Sequence, residues 1–235
     1  MSVLHLTRRI LAALWMCAAG TPAVAHAADL AVRVNFTFDR SITSKDIRAA
    51  AQDEAAAIWR AYGVDLLWTD TGRPDLCLDA IVERHHRHVN LDRLMVLGRT
   101  TIEPGETAHA FIRISFDAVD AVVEQQPIAD LPVHDQAFAF ALGRVLAHEV
   151  GHVLLGVPGY HDPEGLMRAR IPSSDLVRMA RLRFQLTAHS VARLRARIAS
   201  LSDARPSGSC TKPDEADQPG MESKGEQHER DDTRT

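Results

Sequence analysis

The stretch "LAHEVGHVLLGVPGYHDPEGLM", residues 146–167, decides how this chain is read. It carries His148, Glu149 and His152 as His-Glu-x-x-His. A glycine follows at Gly156, a third histidine at His161 and a methionine at Met167. Two readings compete: a metal site completed by a loop ligand, or a buried helix that happens to hold two histidines. Histidines at i and i+4 of a helix lie on one face, one turn apart, so their imidazoles can converge on one cation. Glu149 is turned by about 100° from His148 around the axis. Its carboxylate then falls beside a metal rather than on it, within reach of an activated water. A catalytic zinc ion has three protein ligands and an open position, and lowers the pKa of water towards about 7. A neighbouring carboxylate can take the proton as that water attacks and pass it to a leaving amine.

The third ligand must come from outside the helix. Gly156 should end the helix one turn past His152, because glycine accepts the φ > 0 conformation of a reversal. Five further residues span roughly 16 Å when extended, enough to return to the metal. Pro158 and Gly159 supply a second bend, and His161 is the expected ligand. Asp162 and Glu164 are alternatives in the same loop, but zinc prefers imidazole nitrogen. The segment "SSDLVRMARLRF" contains no glutamate, and its Asp175 sits at an expected N-cap. Against the bland reading, this helix is otherwise apolar, so three ionisable groups inside it would be costly without a partner such as a metal.

Around this stretch the chain reads as one α+β domain. "LAVRVNFTF" (Leu30–Phe38) alternates as a strand does. "SKDIRAAAQDEAAAIWRAYG" is a helix capped by Ser44 and stopped by Gly63. "VDLLWTD", "LDAIVERHH", "RLMVLGRTTI" and "AHAFIRISF" are strand candidates. A long helix, apolar nearly all round and therefore buried, begins near Asp135. "SSDLVRMARLRF" and "TAHSVARLRARIASL" read as helices. Thr187 caps the second, and Val191, Leu194 and Ile198 face the core. The cluster "ERHHRH" (residues 83–88) reads as a solvated strand end rather than a metal site. Arg168 and Arg170 read first as salt-bridge partners of the acidic loop, and second as ligands for a substrate carboxylate.

The 235 residues suit one domain, and 46% hydrophobic with 25% charged residues is ordinary for a globular chain. The net charge of -4 and the scattered basic residues give no sign of a nucleic-acid binder, and none is expected. Arg8 and Arg9 precede the apolar "ILAALWMCAAG" and the small residues of "AVAHAA", the pattern of a cleaved export signal. Residues 1–27 are therefore expected to be removed, taking two arginines and no acid and leaving a charge of -6. The domain is expected over 28–202, in the periplasm or outside the cell, with no stable membrane insertion after cleavage. Residues 203–235 are polar, rich in Pro and Gly, and expected to be disordered. Cys77 and Cys210 remain in the mature chain. Export permits them to pair, but spacing alone does not decide it.

With these residues in hand, "HEVGHVLLGVPGYHDPEGLM" resembles the metzincin zinc peptidases, whose signature is His-Glu-x-x-His-x-x-Gly-x-x-His followed by a methionine turn. The pattern "AHEVGHVLLG…HDPEGLM" is also similar to a group of exported, largely uncharacterised bacterial metzincin-like proteins. The resemblance implies a mixed β-sheet, a central buried active-site helix and C-terminal helices. It implies Zn2+ held by His148, His152 and His161, Glu149 as general base, Met167 beneath the site, and a peptide or protein substrate. It also implies an exposed edge strand on which substrate pairs by its main chain, and residues 109–116 are the candidate. The chain departs from the signature in three places. Gly156 lies one position later and His161 three later, and Ala169 stands where a tyrosine often follows the methionine. Tyr160 is a candidate substitute, against simple packing. The competing functions are a secreted zinc-binding protein without turnover and a non-peptidase zinc hydrolase such as an amidase.

Overall fold

A computed structural model describes residues 30–42, 44–69, 74–84, 96–102, 109–127, 131–157 and 159–203. The expected signal, the tail from residue 204, His85–His88, Cys210 and Pro158 lie outside the described residues. Cys77 is disulfide-bonded, and its partner also lies outside them.

Five strands form one mixed sheet: β1 (Leu30–Phe38), β2 (Val64–Leu67), β3 (Leu76–Glu83), β4 (Gly98–Ile102) and β5 (His109–Ser115). Their order is β2-β1-β3-β5-β4. The first four in that order run parallel, and β4 runs antiparallel to β5. The parallel strands β1 and β2 are joined by helix α1 (Lys45–Arg60), as a parallel crossover requires. Ser44 caps α1 by accepting from the Ile47 amide at 3.3 Å, and Gly63 turns the chain at φ 78°. In β3 the buried residues alternate with half-buried ones, so one face meets the core.

The expected edge strand is a correction. β5 lies inside the sheet between β3 and β4, and β4 is the outer strand. The alternation in "AHAFIRISF" reports that one face is buried. It carries no information about lateral neighbours. The shorter "GRTTI", with an arginine and two threonines, has the polar character of an edge.

Two helical readings also change. "AHAFIRISF" does not end as strand: Phe116 opens a helix, α2 (Phe116–Glu124), whose first turn Ser115 caps through the Ala118 amide. The sequence reading had no helix there. The expected helix over "SSDLVRMARLRF" reduces to α4 (Ser173–Val177) and a 3-10 turn (Leu182–Phe184). Here tertiary partners override local propensity. Arg144 Nη1 donates to the carbonyls of Asp175 and Leu176, both at 2.8 Å, which a continuing helix would have used. Arg178 is extended, and Arg181 turns to Glu54 at 2.8 Å.

The long helix α3 (Leu131–Leu154) packs on α1 and reaches β4, β5, α2 and α4. Its 133–154 window is long and apolar enough to cross a membrane, yet 94% of the qualifying window is buried inside the fold. It is a core helix that buries its own Phe138, Leu142, Leu146 and Leu154 and packs against Trp59 of α1. Inside this core Arg144 and Glu54 are 0% and 1% exposed and pair at 2.8 Å. The last helix, α5 (Ala188–Asp203), starts as expected at Thr187, whose hydroxyl accepts from the Ser190 amide at 3.2 Å. Leu194 is buried, and Val191 and Ile198 pack partly against the core.

Candidate metal centre

The three histidines converge. His148 and His152 project from the last turns of α3, and His161 arrives from the loop after it. One ligand nitrogen from each lies within 4.8 Å of the other two. Ring centroids are 4.8 Å apart for His148 and His152, 5.1 Å for His152 and His161, and 5.5 Å for His148 and His161. His148 and His152 are buried, and His161 is exposed.

The loop returns as the glycine pattern suggests. α3 ends at Leu154, and Gly156 takes φ 67°. The turn holding His161 then closes on itself: the Asp162 amide donates to the Met167 carbonyl at 2.8 Å. Asp162 is no ligand here. Its carboxylate accepts from Tyr160 at 2.6 Å, Ser190 at 2.6 Å and Thr187 at 2.8 Å, which ties the loop to the start of α5. Those three donors hold the Asp162 carboxyl below the usual range although burial acts the other way. Tyr160 is therefore engaged by Asp162 and does not line the cleft beside the histidines. Glu164 borders a separate hollow between the turn and Thr187.

Met167 lies beneath the helix, fully buried. A Cβ at Gly151 would collide with its Sδ, so glycine is required one position before His152 for the methionine to approach. Arg168 pairs with Asp175 at 2.7 Å, a bond between the turn and α4.

Three observations test whether these residues fit a cation. First, a carbonyl oxygen only accepts, so the 2.7 Å contact of His148 Nδ1 with the Leu166 carbonyl fixes Nδ1 as the donor. That leaves the Nε2 lone pair of His148 free, the arrangement by which an outer partner orients a metal-binding imidazole. Second, His152 Nδ1 is buried and makes no hydrogen bond of good geometry, although the Val157 carbonyl partly offsets its burial. Third, burial holds both helix imidazoles neutral. His148 is pushed down mainly by desolvation, and His152 down to about 4 by desolvation and by the other two histidines. Neutral nitrogen donors are what a divalent cation takes. The donor set fits zinc.

Glu149 stands beside this triad. Thr100 of β4 places its hydroxyl 2.7 Å from Glu149 Oε2 and 3.0 Å from the Glu149 carbonyl. A Cβ at Gly98 would meet Glu149 Oε1 at 2.7 Å, so the edge strand closes directly on the carboxylate. Burial raises the Glu149 carboxyl to about 7, opposed by the Thr100 hydrogen bond. The sequence reading missed Gly98 and Thr100. Their only sequence signal is a short polar strand, which gives no hint of its neighbour. The histidines, Glu149, the edge strand and residues 168–171 line one cleft of about 680 Å³.

The fold and site thus define a mixed-sheet protein with three converging histidines and an adjacent carboxylate at an open cleft. No family model matches the sequence, and no curated protein matches it. Among solved structures it is similar to archaemetzincin from Methanopyrus kandleri, at 15% sequence identity and a TM-score of 0.43, over 75% of this chain and 99% of that one.

Proposed function

We propose that the protein is an exported zinc-dependent peptidase. The observation that carries this reading is the convergence of three histidine nitrogens within 4.8 Å, with the Glu149 carboxylate on the adjoining helix position. His148, His152 and His161 would hold the metal. When bound, zinc lowers the pKa of water towards about 7 and polarises a carbonyl. Glu149 takes the proton from the attacking water and delivers it to the leaving amine. Thr100 holds that carboxylate in place. Met167 supports the helix under His152.

The substrate lies along β4. Among the described residues β4 is the outer strand, and its Gly98 and Thr100 line the cleft next to Glu149. Strand pairing there would bring an extended main chain beside the triad with little demand on side chains. This favours a peptide bond over an isolated amide as the target. The export signal read in residues 1–27 puts the enzyme in the periplasm or outside the cell.

A second reading, zinc binding without turnover, draws on Ala169 and on the capture of the Tyr160 hydroxyl by Asp162, which leave no tyrosine beside the triad. Incubating the zinc-loaded protein with unfolded protein substrates, with and without chelator, separates the two. Chelator-sensitive cleavage supports the peptidase, and retention of zinc with no cleavage supports the binder.

A further inference from the structure

Two of the three histidines are held from one turn, residues 165–168. Its Leu166 carbonyl accepts from His148 Nδ1 at 2.7 Å. Its Met167 carbonyl accepts from the amide of Asp162, the residue after His161, at 2.8 Å, and Arg168 forms a parallel bridge with Asp162. A shift of this turn therefore moves the ring of His148 and the entry of His161 together. The turn has a side-chain tether: Arg168 Nη2 donates to Asp175 Oδ2 at 2.7 Å, with the two side chains 14% and 13% exposed. Asp175, in the first turn of α4, is itself held from the helix that bears His148. Arg144, one turn before His148 on the same face, donates to the Asp175 carbonyl at 2.8 Å and is buried against Glu54. The contacts close a circuit. It leaves α3 at Arg144, passes through Asp175, Arg168 and Leu166, and returns to α3 at His148.

A metal-binding imidazole depends on the partner of its other nitrogen, which fixes tautomer and ring orientation. Here that partner is a main-chain carbonyl, so whatever holds the main chain sets the ligand. A charge-assisted hydrogen bond between groups largely out of water is short and fixed in direction, which suits it to that task. We propose that Asp175 is a positioning residue of the metal centre: through Arg168 it holds the turn that orients His148 and seats His161. This rests on the zinc reading and extends it to residues that touch neither metal nor substrate.

The test compares the full chain with Asp175→Asn, Arg168→Gln and the double variant. Zinc affinity is read by chelator competition, the fold by far-UV circular dichroism, and the His148 tautomer by the imidazole nitrogen shifts of the metal-free proteins. In folded protein each single variant is expected to bind zinc about tenfold more weakly, the lower end of the range for outer partners of a metal ligand. The double variant should lose no more than either single variant, because the pair acts as a unit. His148 should pass from the Nδ1–H tautomer of the wild type to a mixture of both. A brace that served the fold alone would change unfolding and leave the tautomer as it is. Arg168→Lys keeps the charge and should recover part of the affinity. Should a neutral variant not fold, Asp175→Glu, which shifts the carboxylate by one methylene, is read in its place by the same outcomes. Unchanged affinity with a single His148 tautomer in the folded variants overturns the proposal, as do losses that add in the double variant. If the wild type takes up no zinc, the zinc reading fails, and the tautomer comparison decides the role of Asp175 alone. A mixture in the variants then supports it, and an unchanged single tautomer overturns it.

Discussion

The Nδ1 of His148 donates to the carbonyl of Leu166 at 2.7 Å, so the residue before the buried methionine orients the first histidine of the triad. The link is reinforced from the far side, where the Leu166 amide donates to the Gln185 carbonyl at 2.9 Å. The helix and the turn are therefore built as one unit, and His161 closes it from an exposed position. Substituting His161 should remove metal without removing the fold. His161→Ala is expected to weaken zinc by more than about 100-fold, above the range for outer partners. Equilibrium zinc competition and far-UV circular dichroism check this. Wild-type affinity in the variant would show that the third ligand lies elsewhere.

Gly151 and Met167 share a space that holds no extra carbon. Gly151→Ala is expected to destabilise by about 1–3 kcal/mol through overpacking. Shortening the methionine should relieve this clash, so Gly151→Ala with Met167→Ala should lose less than the two single losses combined. Urea denaturation of the four proteins measures the coupling. Additive losses would mean the two residues do not touch.

The Arg144–Glu54 pair crosses from α3 to α1 with both groups out of water. Removing the Glu54 charge strands the buried Arg144, whereas Glu54 without Arg144 keeps Arg181 at 2.8 Å. Glu54→Gln alone should therefore cost about 3–5 kcal/mol, and Glu54→Leu with Arg144→Met should be milder. Arg144 also holds the carbonyls of α4, so its loss should loosen residues 173–184 first. Hydrogen exchange localises that effect, and uniform loss of protection would contradict it.

Thr100 reaches Glu149 from the edge strand. Thr100→Val keeps the shape and removes the hydroxyl. It is expected to lower kcat about tenfold, one charge-assisted hydrogen bond of roughly 1.4 kcal/mol, while Thr100→Ser retains most activity. Equal kcat in wild type and Thr100→Val would remove Thr100 from the site.

Much of this was legible in the chain. The spacing of His148 and His152 implies one helix face, Gly156 implies the reversal, and the reach from Gly156 covers His161. The cap at Ser44, the cap at Thr187 and the alternation of Leu30–Phe38 are local signals, and the structure shows each of them. What was not legible depends on residues far apart in sequence. Glu54 and Arg144 are 90 positions apart, and Arg144 also takes two carbonyls that a helix over 173–184 would have used. Thr100 and Glu149 are 49 apart. β5 was misread as the edge because alternation reports a buried face and not a lateral neighbour. Helix α2 was missed because Phe116 continues the apolar rhythm of the strand, although Ser115 followed by Asp117 is a cap signal.

The most direct test of the central claim is cleavage of an unfolded protein substrate by zinc-loaded protein, wild type against Glu149→Gln. The carboxamide is close in shape, cannot accept a proton, and leaves the three histidines intact. The account predicts chelator-sensitive cleavage by the wild type and loss of at least about 100-fold in the variant, with zinc content unchanged. Undiminished cleavage by Glu149→Gln, or no cleavage by fully zinc-loaded wild type, would contradict it.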